Sequence, residues 1–198
     1  MRRVMNKVVS SSLIVLSLAV ASQAAAEPLP LPGYVAAGGE IGVALNGGIA
    51  GATVSGGYQI TDLPLYARAQ IAAGSFNDVY VNAGSHGDDF YQGEGRFAQL
   101  RLGTEYLPCT LRGWLCGLVG ADLGVLRTGA TEGHGVSSHY TQEQFVPRLG
   151  LDVGTRHLRA RATADLALGF TQRETASGTT SESGFQSFVL GAAIAYRF

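Results

Sequence analysis

Residues 158 to 170 read Leu-Arg-Ala-Arg-Ala-Thr-Ala-Asp-Leu-Ala-Leu-Gly-Phe, and this stretch decides the fold. Leu158, Ala160, Ala162, Ala164, Leu166, Leu168 and Phe170 fall at one parity. Arg159, Arg161, Thr163, Asp165 and Gly169 fall at the other. A period of two is the pleat of a β-strand, whose successive side chains point to opposite faces. A helix of the same composition would scatter its arginines around the axis, so the alternation predicts a strand with one apolar and one charged face.

Seven further stretches repeat the pattern. Over 35 to 45, Val35, Ala37, Ile41, Val43 and Leu45 oppose Ala36, Gly38, Glu40, Gly42 and Ala44. Ala52, Val54, Tyr58 and Ile60 alternate with Thr53, Ser55, Gln59 and Thr61 over 52 to 61, and Leu65, Ala67, Ala69, Ile71 and Ala73 with Tyr66, Arg68 and Gln70 over 65 to 75. Residues 96 to 106 set Ala98, Leu100, Leu102 and Tyr106 against Gln99, Arg101, Gly103 and Glu105; a fifth segment sets Leu115, Val119, Ala121, Leu123 and Val125 against Gly120, Asp122 and Gly124. The sixth places Phe145, Leu149, Leu151 and Val153 away from Arg148, Gly150 and Asp152, with Pro147 predicting a bulge near a rim. The eighth ends the chain with Phe188, Leu190, Ala192, Ile194, Tyr196 and Phe198 on one face.

The connections are unequal. Those near 62 to 64, 107 to 114 and 155 to 157 are short, whereas 76 to 93, 127 to 143 and 172 to 185 are long, polar and rich in Gly and Ser. The first connection at the same end, 46 to 51, is tight. Even strand count, about ten residues per strand and long connections at one end are the layout of an antiparallel up-and-down transmembrane β-barrel with short periplasmic turns and longer outer loops.

The chain has 198 residues, 28 of them Gly, with 46% hydrophobic and only 15% charged side chains. No apolar run reaches the length of a membrane-crossing helix, and the near balance of 14 basic and 15 acidic residues gives no excess of positive charge for nucleic acid. The N-terminus is a different element. Arg2, Arg3 and Lys7 precede an apolar core over 13 to 21, and Ala24 to Ala26 supply an Ala-x-Ala cleavage site, so 1 to 26 read as a secretory signal peptide. Residues 27 to 33, with Pro28, Pro30 and Pro32, read as an extended leader, and 34 to 198 as the barrel. Export to an oxidising compartment predicts a disulfide between Cys109 and Cys116, the only two cysteines.

Alternation alone does not distinguish a membrane barrel from a soluble lipocalin-like, lipid-binding barrel, because the two are one pattern turned inside out. The polar face makes the distinction. It carries Glu40, Glu105, Asp122, Asp152 and Asp165 with Arg68, Arg101, Arg148, Arg159 and Arg161, five acids matched by five arginines, and past Lys7 the chain has no lysine. A water-facing surface favours long Lys and Glu chains, whereas matched charge suits an enclosed lumen in which each ion finds a partner. Eight strands leave a lumen just wide enough for side chains to fill, so the network is expected to plug it. Outward Tyr58, Tyr106, Tyr196 and Phe198 fall at one rim and Phe145, Phe170 and Phe188 at the other, as two aromatic girdles. Phe76 and Phe97 have the wrong parity and are expected in loop bases or bulges.

With its signal peptide, eight amphipathic strands and C-terminal Ile194-x-Tyr196-x-Phe198, the chain resembles the small outer-membrane β-barrel proteins of the OmpA-domain and OmpX type. The resemblance implies residence in the outer membrane of a Gram-negative bacterium among its lipids, and implies that Ile194, Tyr196 and Phe198 serve as the signal read by the barrel-insertion machinery. The expected role is structural, with outer loops meeting surface ligands or other cells through aromatics such as Phe76, Tyr80, Phe90, Tyr91 and Tyr140. A lipid-modifying barrel enzyme is the second expectation. It would rest on His86, His134 and His139 in the outer loops, near Ser85, Asp88, Asp89, Glu132, Ser137 and Ser138, or on His157, but no strand-borne His-x-Ser pair is present. No catalytic residue, metal ligand or cofactor is assigned from the sequence.

Overall fold

The computed structural model describes residues 31–44, 47–84, 87–110, 113–131, 137–175 and 178–198. The signal peptide and most of the leader lie outside the described residues. Eight strands form one closed antiparallel barrel in chain order: β1 (Gly33–Ala44), β2 (Gly47–Gln59), β3 (Leu65–Gly84), β4 (Gly87–Tyr106), β5 (Leu115–Thr131), β6 (Ser137–Gly154), β7 (Leu158–Thr175) and β8 (Gly178–Arg197). β1 pairs with β8 from Tyr34↔Arg197 to Ala44↔Ser187, which closes the cylinder and leaves no free edge. Gly33, grouped with the leader by its position, already pairs with Tyr58, and its N–H donates to the Phe198 carbonyl at 3.1 Å.

Both ends of the barrel chain lie at one rim, here the terminal rim, with the connections at 60–64, 107–114 and 155–157. The opposite, distal rim carries the strand ends Ala44 and Gly47, Gly84 and Gly87, Thr131 and Ser137, and Thr175 and Gly178. The outward set expected on each strand is the set that faces away from the lumen: Ile41, Val54, Ile71, Leu100, Leu123, Leu149, Leu158, Leu190 and Ile194 are all exposed. Of the two aromatic girdles, Tyr58, Tyr196 and Phe198 are exposed at the terminal rim and Phe145, Phe170 and Phe188 toward the distal rim, while Tyr106 is half-buried.

Three expectations are corrected. The long distal connections are largely strand: β3 and β4 stay paired out to Gly84↔Gly87, and β7 and β8 to Thr175↔Gly178. Likewise β2 begins at Gly47 rather than 52. Apart from the short run Val79, Val81 and Ala83 on β3, these extensions mix glycine, polar and apolar residues at both parities, so the alternation that reveals a strand is weak although the ladder pairing continues. Pro147, finally, makes no bulge. The β6–β7 register is the same at Phe145↔Leu168 and Arg148↔Asp165, and only the two intervening pairs drop from the ladder, as the missing proline N–H requires. The register shift lies one strand further on, between Ala167 and Leu168 against β8.

Candidate functional site

Alternate residues of all eight strands point into the lumen, and all ten charged residues assigned there by parity are buried in it. Parity on the last strand also places Arg197 inside, fully buried, and the apolar-looking end of the chain concealed it from the sequence reading. Tyr34, Tyr66, Gln70, Gln99 and Gln144 join the lining for the same geometric reason.

Nearest the terminal rim, one carboxylate organises three cations. Asp152 accepts from Arg159, from Arg161 Nη2 at 3.0 Å and from Arg197 Nη2 at 3.1 Å. The tight turn at 155–157 creates this cluster, because it folds β7 back along β6 so that Asp152 pairs with Arg161. Arg159 also donates Nη1 to the carbonyls of Gly113 and Thr155, at 2.9 Å each, tying the lumen floor to both neighbouring turns. Arg161 reaches across to Glu105 Oε1 at 3.1 Å and lies over the Tyr34 ring, 4.3 Å from its centre. That ring occupies a hollow over Gly57, where a Cβ would stand 2.3 Å from Tyr34 Cε1. An inward glycine is therefore what gives the tyrosine its place.

The chain of ion pairs continues upward. Arg68 links Glu105, with Nε to Oε2 at 3.4 Å, to Asp122, with Nη1 to Oδ2 at 2.5 Å. Arg148 links Asp122 at 3.2 Å to Asp165, which it grips through Nε at 2.7 Å and Nη2 at 2.5 Å. Arg101 completes the series on Asp165 Oδ2 at 2.5 Å. Arg161 and Asp165, four apart on one strand face, are thus joined through other strands rather than to each other. Fork-shaped guanidiniums that each serve two carboxylates suit this sharing.

Glu40 stands apart. Its Oε2 accepts from Gln70 Nε2 at 3.5 Å, and its Oε1 has no hydrogen-bond partner among the described residues. It lines a cavity of about 30 Å³ with Thr53, Ser55, Arg148, Thr163 and Asp165. That volume is room for about two water molecules, with hydroxyls and charges enough to hold them.

Above the charges the lumen turns apolar. Gln99 donates to Gln144 at 2.7 Å, and beyond them Phe76, Phe97, Ile49, Ala72, Leu126 and Val189 form a buried cluster. Phe76 and Phe97 are therefore not in loop bases or bulges. They sit in regular ladder positions and point inward, each over a glycine: Gly95 beneath Phe76 and Gly51 beneath Phe97, where a Cβ would approach to 2.2 and 2.7 Å. The missed signal was an inward glycine, on the adjacent strand for Phe76 and two strands away for Phe97.

Cys109 and Cys116 form the expected disulfide across the 107–114 turn, where Cys109 and Cys116 also make an isolated bridge. Gly113 turns that connection with φ of 66°, a left-handed conformation that a glycine adopts without cost. At the C-terminus, Ile194, Tyr196 and Phe198 are aligned on the outer wall, each about half exposed. Of the histidines, His86 and His134 lie outside the described residues, as does the side chain of His139 in β6. His157 is in the turn before β7, its Nδ1 3.1 Å from the Arg197 carbonyl and its ring stacked on Tyr196.

No family model and no curated protein matches the chain in sequence. Solved structures do match in shape. Neisserial surface protein A aligns over 84% of this chain and 97% of its own, with a TM-score of 0.58 and 16% identity. A major outer membrane protein from Thermus thermophilus aligns over 84% and 99%, with a TM-score of 0.50 and 15% identity. The attachment invasion locus protein of Yersinia pestis, solved with the heparin analogue sucrose octasulfate, aligns over 84% and 99%, with a TM-score of 0.50 and 9% identity. The chain thus has the fold of the small eight-stranded outer-membrane β-barrels.

Proposed function

We propose that the protein is an integral outer-membrane barrel of a Gram-negative envelope, closed along its axis by its own side chains, and that it serves the envelope as a structural element with a contact surface at the distal rim. One observation carries this reading: the barrel is apolar outside and charged inside. Leu123, at 69% exposed, and Ile41, at 64%, face outward, whereas Asp152 and Arg159 are buried within. A soluble carrier of apolar ligands has the inverse arrangement. The outward belt suits lipid, and the ion-pair chain from Arg159 to Arg101, capped by Phe76 and Phe97, suits a lumen without a continuous water path.

In this reading residues 1 to 26 direct export, Ile194, Tyr196 and Phe198 present the insertion signal to the assembly machinery, and the long hairpins β3–β4, β5–β6 and β7–β8 raise the distal turns off the membrane toward ligands or other cells. Membrane fractionation followed by gel migration of boiled and unboiled protein tests residence and closure together. The unboiled barrel should sit in the membrane fraction and run faster. Planar-bilayer recordings test the plug, with negligible conductance expected; steady ion-selective single-channel currents would overturn it, and a soluble pool would overturn the membrane reading.

A further inference from the structure

The outer wall carries a pair of arginines that the lumen network does not use. Toward the distal rim the outward series on β4 runs Leu102, Leu100, Ala98, Arg96, and on β5 it runs Leu123, Val125, Arg127. The register sets Leu100 opposite Val125 and Ala98 opposite Arg127, so Arg96 and Arg127 are diagonal neighbours on adjacent strands. Such neighbours are about 7–8 Å apart at the backbone, within reach of two long side chains meeting on one group. Both are exposed, and neither makes an ion pair or side-chain hydrogen bond among the described residues. Glu143, outward on β6 opposite Val125, is the charged residue at the matching position of the next strand.

The position of the pair is informative. Directly beneath it Leu100, Leu102, Leu123, Val125 and Phe145 form a continuous exposed apolar wall. On three neighbouring strands the wall changes from apolar to charged at one height. An arginine on a lipid-facing wall costs about 2–4 kcal/mol at the membrane midplane and about 0–1 kcal/mol near the interface, so that height corresponds to the headgroups. Guanidiniums present planar forks of donors that match phosphate oxygens.

We propose that Arg96 and Arg127 together bind the phosphate of a phosphorylated lipid in the surrounding leaflet. A lipid is preferred to a soluble anion because the apolar wall below the pair would hold the acyl chains of the same molecule, adding buried area that a free anion lacks. The proposal rests on the membrane reading above.

The test is native mass spectrometry of the full chain in detergent, titrated with phosphatidic acid or phosphatidylcholine of matched chains. The wild type should prefer phosphatidic acid by roughly tenfold, the scale of one charge-assisted contact. Arg96→Gln with Arg127→Gln should abolish the preference, while Arg156→Gln at the terminal rim should keep it. Retention of the preference in the double variant would overturn the assignment to this pair. Displacement of the lipid by an equal concentration of inorganic phosphate would overturn the assignment to lipid. Unboiled gel migration of the same samples reports the barrel separately, so a failure of the membrane reading is distinguishable from a failure of the site.

Discussion

Replacing Asp152 with Asn tests the idea that shared carboxylates hold the lumen together. The substitution keeps the shape of the side chain and removes its charge. Asp152 is fully buried, and Arg159, Arg161 and Arg197 all converge on it. Arg161 keeps Glu105, and Arg159 keeps the carbonyls of Gly113 and Thr155. Arg197 loses the one carboxylate it contacts among the described residues, and three guanidiniums then converge on a neutral amide with Arg161 alone still paired to a carboxylate. Leaving a buried ion without its partner commonly costs about 3–5 kcal/mol. At a urea slope of about 2 kcal/mol per M, the unfolding midpoint should fall by about 2 M. The assay is urea unfolding of the detergent-solubilised barrel, followed by the loss of the fast-migrating unboiled band. Glu40→Gln is the internal comparison, because among the described residues Glu40 makes no ion pair and its side chain accepts a single hydrogen bond, from Gln70 at 3.5 Å, and its midpoint should move by less than about a quarter as much. Equal shifts for the two variants, or no shift for Asp152→Asn, would refute the reasoning.

Arg101→Ala should be milder than Asp152→Asn, since Asp165 retains its two-pronged contact with Arg148, and parallel urea curves would rank the two. Gly57→Ala should destabilise by about 1–3 kcal/mol through its clash with Tyr34, and a double-mutant cycle with Tyr34→Leu should recover most of that. Cys109→Ser with Cys116→Ser should cost roughly 2.5 kcal/mol by loop-closure entropy for an eight-residue loop, measured as a lower unfolding midpoint; an unchanged midpoint would remove the staple's role. Deletion of Phe198, whose backbone pairs with Gly33 and whose ring is half exposed, should slow membrane assembly in pulse-chase fractionation more than it lowers the stability of barrels already assembled.

The sequence was legible where the two faces of a strand differ. Leucine and alanine on one side and arginine and aspartate on the other marked the inward residues of β3 to β7, with nine of the ten network charges, and Glu40 was marked in the same way on β1. It was illegible for two physical reasons. Beyond about Phe76 and before Phe97 the hairpins have polar residues on both faces, so pairing continues without a pattern to report it. In the barrel itself, large inward residues broke the apolar-out rule: Phe76 and Phe97 looked misplaced, and Arg197, flanked by Tyr196 and Phe198, looked like part of a tail. Their partners Gly51, Gly95 and Asp152 lie on other strands, and such pairings are visible only once the register is known. Pro147 marked a real lapse in the ladder, but the chain absorbs it without losing register.

The disulfide lies on the lumen floor, and its burial has a temporal meaning. Cys116 is fully enclosed and Cys109 nearly so, with Arg159 Nη2 only 3.2 Å from the Cys116 sulfur. Thiol–disulfide exchange requires an attacking thiolate to reach a sulfur atom, and the closed barrel denies that approach. Oxidation therefore belongs to the interval before the chain has wrapped upon itself. Reductant supplied during that interval should yield a barrel with two trapped thiols, and the same reductant supplied afterwards should leave the bond intact. The redox state of a finished molecule is then a record of when it closed, insulated from the chemistry of the compartment in which it subsequently resides.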